Sequence, residues 1–256
     1  MIETKKLLKD LAKRFPKKYA RIYHDHVGLM TGKLPEKINK ILLCLDFDHE
    51  VLPYVKEFKP DIIITHHPFI YGTRYQVCKR DEYKRNLIDI IDKMNVPVYS
   101  YHTNFDSGRG GMNDALAAAL GLENVYQCEK EICMRIGYLK EPMKIEDFAK
   151  FAKEKFDVSY SLLINKGKDM VQKVGIIGGG GSRDYKFAME EGCDIYISGD
   201  APHHVRREIT LLGFNYLDMP HEIEKIFMPT MKNILLELDT TLDVLTIDHE
   251  KLPKVI

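Results

Sequence analysis

The amino-acid sequence predicts an α/β fold of two similar, interlinked α/β halves with mainly parallel central sheets. Three observations carry this expectation. Short apolar runs of strand length alternate with segments of helical period, the pattern of parallel strands joined by helical crossovers. The order of elements in the first half recurs in the second. At 256 residues the chain is also long enough for two domains of ordinary size, each with its own core. The halves divide as 1–125 and 126–256.

Leu7 to Phe15 has the apolar spacing of a short amphipathic helix, and Gly28 to Gly32 breaks the chain before the first core strand. Ile38 to Leu45 reads as a buried strand, Val51 to Phe58 as a helix, Asp61 to Thr65 as a strand, Asp81 to Met94 as a helix and Val96 to Tyr101 as a strand. After a glycine-rich break from Ser107 to Gly111, Asn113 to Leu120 is an alanine-rich helix closed by Gly121. A linking section follows, with strands at Cys133 to Leu139 and Tyr160 to Ile164 around a helix from Ile145 to Phe156. The second half then repeats the first: strand Lys173 to Ile177, glycine-rich turn, helix Asp184 to Glu191, strand Cys193 to Ser198, helix His203 to Leu212, strand Gly213 to Leu217. The repeat is one of supersecondary units rather than of residue identities. A site shared between the halves follows from it.

Composition excludes several classes of function. Lys and Arg number 38, as do Asp and Glu, so no excess positive field attracts nucleic acid, and no aromatic and basic stripe offers a substitute. The five cysteines are odd in number, scattered and never spaced Cys-x-x-Cys, which indicates neither a disulfide framework nor a zinc ribbon. Residues Met1 to Asp10 contain no apolar signal core, and no run has the length needed to span a bilayer. A soluble, cytoplasmic protein with reduced thiols and no membrane partner is expected.

The chemistry concentrates where strands end. Asp61-Ile-Ile-Ile-Thr-His66-His67-Pro delivers two adjacent imidazoles into a turn closed by proline, and neutral imidazole is the commonest protein ligand for metals. Proline ends the strand, so the rule that successive side chains alternate faces is relaxed and both rings can aim at neighbouring positions. The competing reading is a pair of polar loop residues. Val96 to Tyr101 leads into His102 and, after a short turn, Asp106, whose carboxylate can ligate a cation or simply turn the chain before Gly108. His102 is expected to be held by Asp106 or to orient water at a metal. His221 and Glu224 stand three apart at the expected start of a helix, on one face, with Glu222 pointing elsewhere. An acidic first turn explains the glutamates equally well but not the histidine.

Weaker signals surround these. His203-His204 after the Cys193 to Ser198 strand parallels His66-His67. Gly178-Gly-Gly-Gly181 is either an anion cradle or a tight turn that needs glycine for steric reasons, and it is not a Walker loop because no Gly-Lys-Ser/Thr follows. Asp25, His26 and Asp46 are able to approach the same rim, while Asp48 reads as the N-cap of the helix near Val51.

In combination these residues resemble the Nif-three-like family, whose members carry the name GTP cyclohydrolase 1 type 2 homologue. The resemblance runs through Asp25-His-Val-Gly-Leu-Met-Thr-Gly32, Leu45-Asp46, Ile62-Ile-Ile-Thr-His66-His67-Pro, His102-Thr-Asn-Phe-Asp106, Gly199-Asp200, His203-His204 and Asp218-Met-Pro-His221-Glu-Ile-Glu224, nearly the whole chain. It implies a dinuclear metal centre held by His66, His67, Asp106, His221 and Glu224 between the halves, with zinc, iron, manganese or cobalt as the divalent ions. It also implies a ring-shaped homohexamer. Two departures stand out: Pro220 replaces the glycine usual before the histidine, and the His221 to Glu224 spacing is the shorter of two variants.

The expected function is that of a hydrolase acting through metal-activated water on a small, nucleotide-like substrate, GTP by the family's name, with His102 or His204 relaying a proton. A non-catalytic metal-binding regulatory or scaffold protein is the alternative.

Overall fold

Ile41-Leu-Leu-Cys44 and Ile62-Ile-Ile-Thr65 are apolar at nearly every position, so strands formed from them need cover on both faces. The computed structural model describes residues 1–254. Up to Gly111 its elements are β1 (Ile2–Glu3), α1 (Thr4–Arg14), α2 (Lys17–Ile22), β2 (Gly28–Thr31), β3 (Lys37–Ile38), β4 (Lys40–Cys44), α3 (Leu52–Phe58), β5 (Ile62–Thr65), α4 (Arg74–Arg80), α5 (Glu82–Met94), β6 (Val98–Ser100) and α6 (Thr103–Ser107). Then come α7 (Met112–Ala119), β7 (Glu123–Gln127), β8 (Arg135–Lys144), α8 (Ile145–Lys155), β9 (Leu162–Ile164), β10 (Met170–Ile176), α9 (Tyr185–Glu190), β11 (Ile195–Gly199), α10 (His203–Leu211) and β12 (Tyr216–Met219). After a 3-10 turn at His221–Ile226, α11 (Phe227–Leu238) and β13 (Asp243–Ile247) complete the order.

These elements form two compact units. The first contains Met1–Gly111 and Phe227–His249; the second contains Met112–Ile226 and the described C-terminal residues from Glu250. The expected halves, 1–125 and 126–256, differ from these units in two places. The first unit ends earlier, before α7, and the chain returns to it at Phe227 to add α11 and β13.

The five-stranded sheet of the first unit has the order β13-β4-β5-β6-β2. Its first four strands are parallel, and β2 pairs antiparallel with β6. Side chains alternate across it, as a pleated strand requires. On one face Leu42, Cys44, Ile63 and Val98 join Val51 and Val55 beside α3 and Leu87, Ile88 and Ile91 of α5 in one core. The other face is also closed, since Ile41, Leu43, Ile62 and Ile64 are fully buried.

Besides α2 and the short α6, which the sequence did not lead us to expect, three expectations for this unit are corrected. The Gly28 to Gly32 segment is an edge strand rather than a break, bounded by Gly28 and Gly32 in the left-handed φ region. Helix α4 was not expected, although Thr73 and Gln76 form the reciprocal capping box that would have marked it. Asp48 does not cap α3; its Oδ1 accepts from the Glu50 amide at 2.7 Å, and its Oδ2 meets His249 Nε2 at 2.9 Å.

In the second unit the six-stranded sheet has the order β7-β8-β10-β11-β12-β9. Its centre, β10-β11-β12, is parallel, and its flanks are antiparallel. Each unit thus contains three adjacent parallel strands in chain order, β4-β5-β6 and β10-β11-β12, which is the recurrence seen in the sequence. Among the described residues no helix is long and apolar enough to cross a membrane.

Ile63 is fully buried in the first core, so Ile63→Ala is expected to lower the unfolding free energy by about 2–5 kcal/mol through lost burial and a residual cavity. Urea denaturation followed by circular dichroism reads this directly; an unchanged midpoint would show that this sheet face is not packed as described.

Candidate metal centre

In open α/β sheets chemistry gathers at the carboxyl ends of the strands. In the first unit β5 and β6 are parallel neighbours with Thr65 opposite Ser100, so the residues that follow them emerge side by side. The His66 and His67 amides both donate to the Leu45 carbonyl, at 3.2 and 3.1 Å, and the Thr65 hydroxyl donates to the His67 carbonyl at 2.8 Å. This turn fixes the backbone beneath both rings.

His66 is fully buried and its Nδ1 lies 2.8 Å from the Tyr101 carbonyl oxygen. A carbonyl only accepts, so Nδ1 carries the proton and Nε2 carries the lone pair. His67 Nδ1 meets Asp46 Oδ2 at 2.5 Å, and His102 Nδ1 meets Asp25 Oδ2 at 2.8 Å. Burial opposes ionisation of Asp25, but hydrogen bonds from His102 and Thr103 outweigh it and hold the carboxyl down at about 2. Burial likewise works against the Asp46 charge, and the hydrogen bond from His67 prevails, leaving its pKa below the usual carboxylate range. Both carboxylates therefore accept, and the same Nδ1–H tautomer follows for His67 and His102.

The three rings converge. Their centroids are 5.0 Å apart for His66 and His67, 5.1 Å for His66 and His102 and 5.7 Å for His67 and His102. One potential ligand nitrogen from each lies within 4.8 Å of the others. Asp106, on the short helix α6, brings Oδ1 to 3.6 Å from His66 Nε2. Phe227 at the start of α11 lies 5.2 Å from the His66 ring and 5.0 Å from Phe105, which wedges the imidazole in place. His102 is thus anchored by Asp25, a partner that the sequence reading did not name.

In the second unit Asp200 follows β11 and β12 leads to His221. The expected α-helical start is a 3-10 turn, His221–Ile226. With three residues per turn, positions i and i+3 eclipse, and His221 Nε2 stands 3.0 Å from Glu224 Oε2. Asp200 Oδ2 holds His221 Nδ1 at 2.5 Å. Glu224 is almost completely buried.

The glycine turn explains this burial. Gly179 has φ 63°, and a Cβ there would overlap Glu224 Oε1 and come within 3.1 Å of His221 Nε2. A Cβ on Gly178 would press on Leu116 at 2.8 Å. The amides of Gly178 and Gly181 are engaged inside the fold, by Asn113 Oδ1 at 2.8 Å and the Gly179 carbonyl at 2.9 Å. The steric reading accounts for Gly178 and Gly179 in this turn. His203 and His204, by contrast, are exposed in the first turn of α10. The residue at the end of β11 that reaches a histidine is Asp200, so the parallel between His203-His204 and His66-His67 does not extend to structure.

Sequence reasoning did not identify Asp25, Asp46 and Asp200 as the anchors of histidines. A signal existed for two of them: Asp46 follows β4 closely and Asp200 follows β11 directly, both at carboxyl ends of parallel strands.

Fold and side chains define an α/β protein with histidine–carboxylate groups at the ends of parallel strands. The model of the Duf34/NIF3 (NGG1p interacting factor 3) family matches residues 2–253, and the chain belongs to this family. A GTP cyclohydrolase 1 type 2 homolog of Clostridium perfringens is 30% identical over 203 residues, covering 77% of each chain. One of Lactococcus lactis is 27% identical over 230 residues, covering 88% of this chain and 89% of the relative. Among solved structures, a Bacillus cereus protein related to NIF3 superposes with a TM-score of 0.89 at 21% identity, covering 100% of this chain and 99% of that one. Reduced HcgD from Methanocaldococcus jannaschii gives 0.78 at 25% identity, covering 96% and 98%.

The donor chemistry fits divalent cations: imidazole rings held through Nδ1 by carboxylates or a carbonyl are the usual arrangement of metal-binding histidines. Asp46→Ala removes the anchor of His67 and is expected to weaken zinc binding by roughly 10–100-fold in competition with a chromophoric chelator; unchanged affinity would take His67 out of the site. Beyond the glycine turn, burial raises the Asp184 carboxyl to about 6, with Glu131 adding to the shift and Arg183 opposing it. Because the folded state holds this proton more tightly than the ordinary 3.8, ionisation destabilises the fold increasingly as pH rises through that interval. Asp184→Asn is expected to raise the urea midpoint at pH 8 and to leave it unchanged at about pH 3.5; equal effects at both would contradict the burial of this carboxyl.

Proposed function

We propose that the chain is a metal-dependent hydrolase of a small, nucleotide-like substrate, with two divalent ions held by His66, His67, Asp106, His221 and Glu224. The observation that supports it most is the common anchoring of His66, His67 and His221 through Nδ1. Rings so held have Nδ1 taken up by the fold and keep Nε2 as the atom able to ligate, and a second proposed ligand, Glu224, already stands 3.0 Å from the Nε2 of His221. When bound, the ions would supply Lewis acidity toward the substrate and lower the pKa of water toward neutrality. Zinc, iron, manganese and cobalt all suit imidazole and carboxylate without thiolate.

The chain's own residues would orient and move protons. Asp46 and Asp200 hold two ligand rings in register, and Gly179 lets Glu224 sit against the backbone. His102, with Nδ1 on the ionised Asp25, presents Nε2 as a base. Taking up a proton there makes an imidazolium that the Asp25 carboxylate stabilises, the arrangement that suits a general acid–base group. The relatives' names point to GTP as the substrate, and ring-opening hydrolysis as the reaction.

Metal analysis and a nucleotide panel test this together. The native chain is expected to hold two ions and hydrolyse a member of the panel, while His67→Ala and Glu224→Ala lose metal and activity. His102→Ala is expected to keep metal and lose roughly 10²–10⁴-fold in kcat. Two ions retained by both ligand variants would overturn the ligand set. Metal loss in the variants with a native protein that hydrolyses nothing would favour a regulatory metal-binding protein.

A further inference from the structure

A pocket of about 300 Å³ lies in the first unit, beside α2 and β2. Its walls include Lys17, Arg21, Asp25, His26, Ile70 and Arg74. The charges on it do not cancel. Arg74 is paired with Asp92. Asp25 is fully engaged: Oδ1 accepts the His26 amide at 2.8 Å, and Oδ2 accepts His102 Nδ1 and the Thr103 hydroxyl, at 2.8 and 2.7 Å. Lys17 and Arg21 make no ion pair with a carboxylate among the described residues.

Lys17 and Arg21 stand four residues apart in α2, on one face. Like charges at that spacing repel, so the arrangement favours an anion between or beside them. Lys17 is also seated. Its Nζ occupies the space a Cβ on Gly28 would fill, and it lies 5.6 Å from the centroid of the Tyr99 ring. Gly28, with φ 106°, belongs to the Asp25 to Gly32 segment, which therefore both anchors His102 and shapes the wall that holds this ammonium. The pocket and the histidine group share Asp25 as a common residue.

We propose that this pocket binds the phosphate groups of the substrate, which makes the substrate class a phosphorylated small molecule such as a nucleoside di- or triphosphate. The assignment of that ligand as substrate rests on the hydrolase reading; the anion site itself does not. The volume is at the lower end of the range for small-molecule pockets, roughly 300–1,000 Å³, which suits a phosphate tail rather than an entire nucleotide. The reacting ring would then extend beyond it toward His102.

Calorimetric titration of the metal-stripped full chain with guanosine, GMP, GTP and inorganic pyrophosphate tests the proposal, because without metal no phosphate gains affinity from the ions. GTP and pyrophosphate are expected to bind, more weakly as salt rises, and guanosine is not. Lys17→Met, which keeps the stem beside Tyr99, and Arg21→Gln, at an exposed position, are each expected to weaken GTP binding roughly tenfold or more. Their urea midpoints and metal content should match the native chain. Variants that bind GTP as the native chain does, or guanosine binding as tight as GTP, would overturn the subsite. If the metal-loaded protein hydrolyses nothing while GTP still binds through Lys17 and Arg21, the hydrolase reading falls and the anion site stands. Hydrolysis of an uncharged substrate without GTP binding does the opposite.

Discussion

Tautomer control of the histidines is the constraint on which the site depends. A neutral imidazole has one donor and one acceptor nitrogen, and which is which is set by what the ring touches. Here Tyr101, Asp46, Asp25 and Asp200 each take the Nδ1 side of a ring. In His66, His67 and His102 the lone pair is thereby assigned to Nε2, and the fold's task becomes that of aiming those atoms; His221 differs, since the Glu224 carboxylate stands at its Nε2 as well. Parallel order places Thr65 beside Ser100 and so brings His66, His67 and His102 together. Aromatic packing by Phe105 and Phe227 keeps the buried His66 ring from turning.

The second unit meets a different demand. A buried carboxylate needs a partner, because an isolated charge away from water is costly. Glu224 has His221 at 3.0 Å, placed by the eclipsed geometry of a 3-10 turn, and a backbone stripped of side chains at Gly178 and Gly179 to make room. The glycine-rich turn is thus a steric device for one carboxylate. The short spacing from His221 to Glu224 and the 3-10 turn are the same fact, since three residues complete one turn of that helix.

Much of this was legible in the sequence, and the illegible part has a physical reason. The strands β4, β5, β6 and β11 were readable because strands buried on both faces must be apolar throughout, and His66, His67, His102 and His221 were readable because they follow such runs. Strand β7 was missed because all five of its residues are exposed, leaving no apolar run to see. The return of α11 and β13 to the first unit was missed because β13 pairs with β4 across some two hundred residues, and local pattern does not encode a partner at that distance. Asp25 went unassigned for the same reason: it is 77 residues from His102. His203 and His204 show the converse error. Their position after a strand matched the pattern of His66 and His67, but Pro202 starts a helix there and carries both rings out to solvent.

Imidazole nitrogen-15 resonances of the metal-free chain measure the central claim most directly, because they distinguish the two neutral tautomers ring by ring. At mildly alkaline pH His66 and His67 are predicted to carry their proton on Nδ1, the form less populated by free histidine in water, and zinc is predicted to shift their Nε2 signals while leaving Nδ1 protonated. Protons found on Nε2 in these rings, or Nε2 signals indifferent to zinc, would contradict the account.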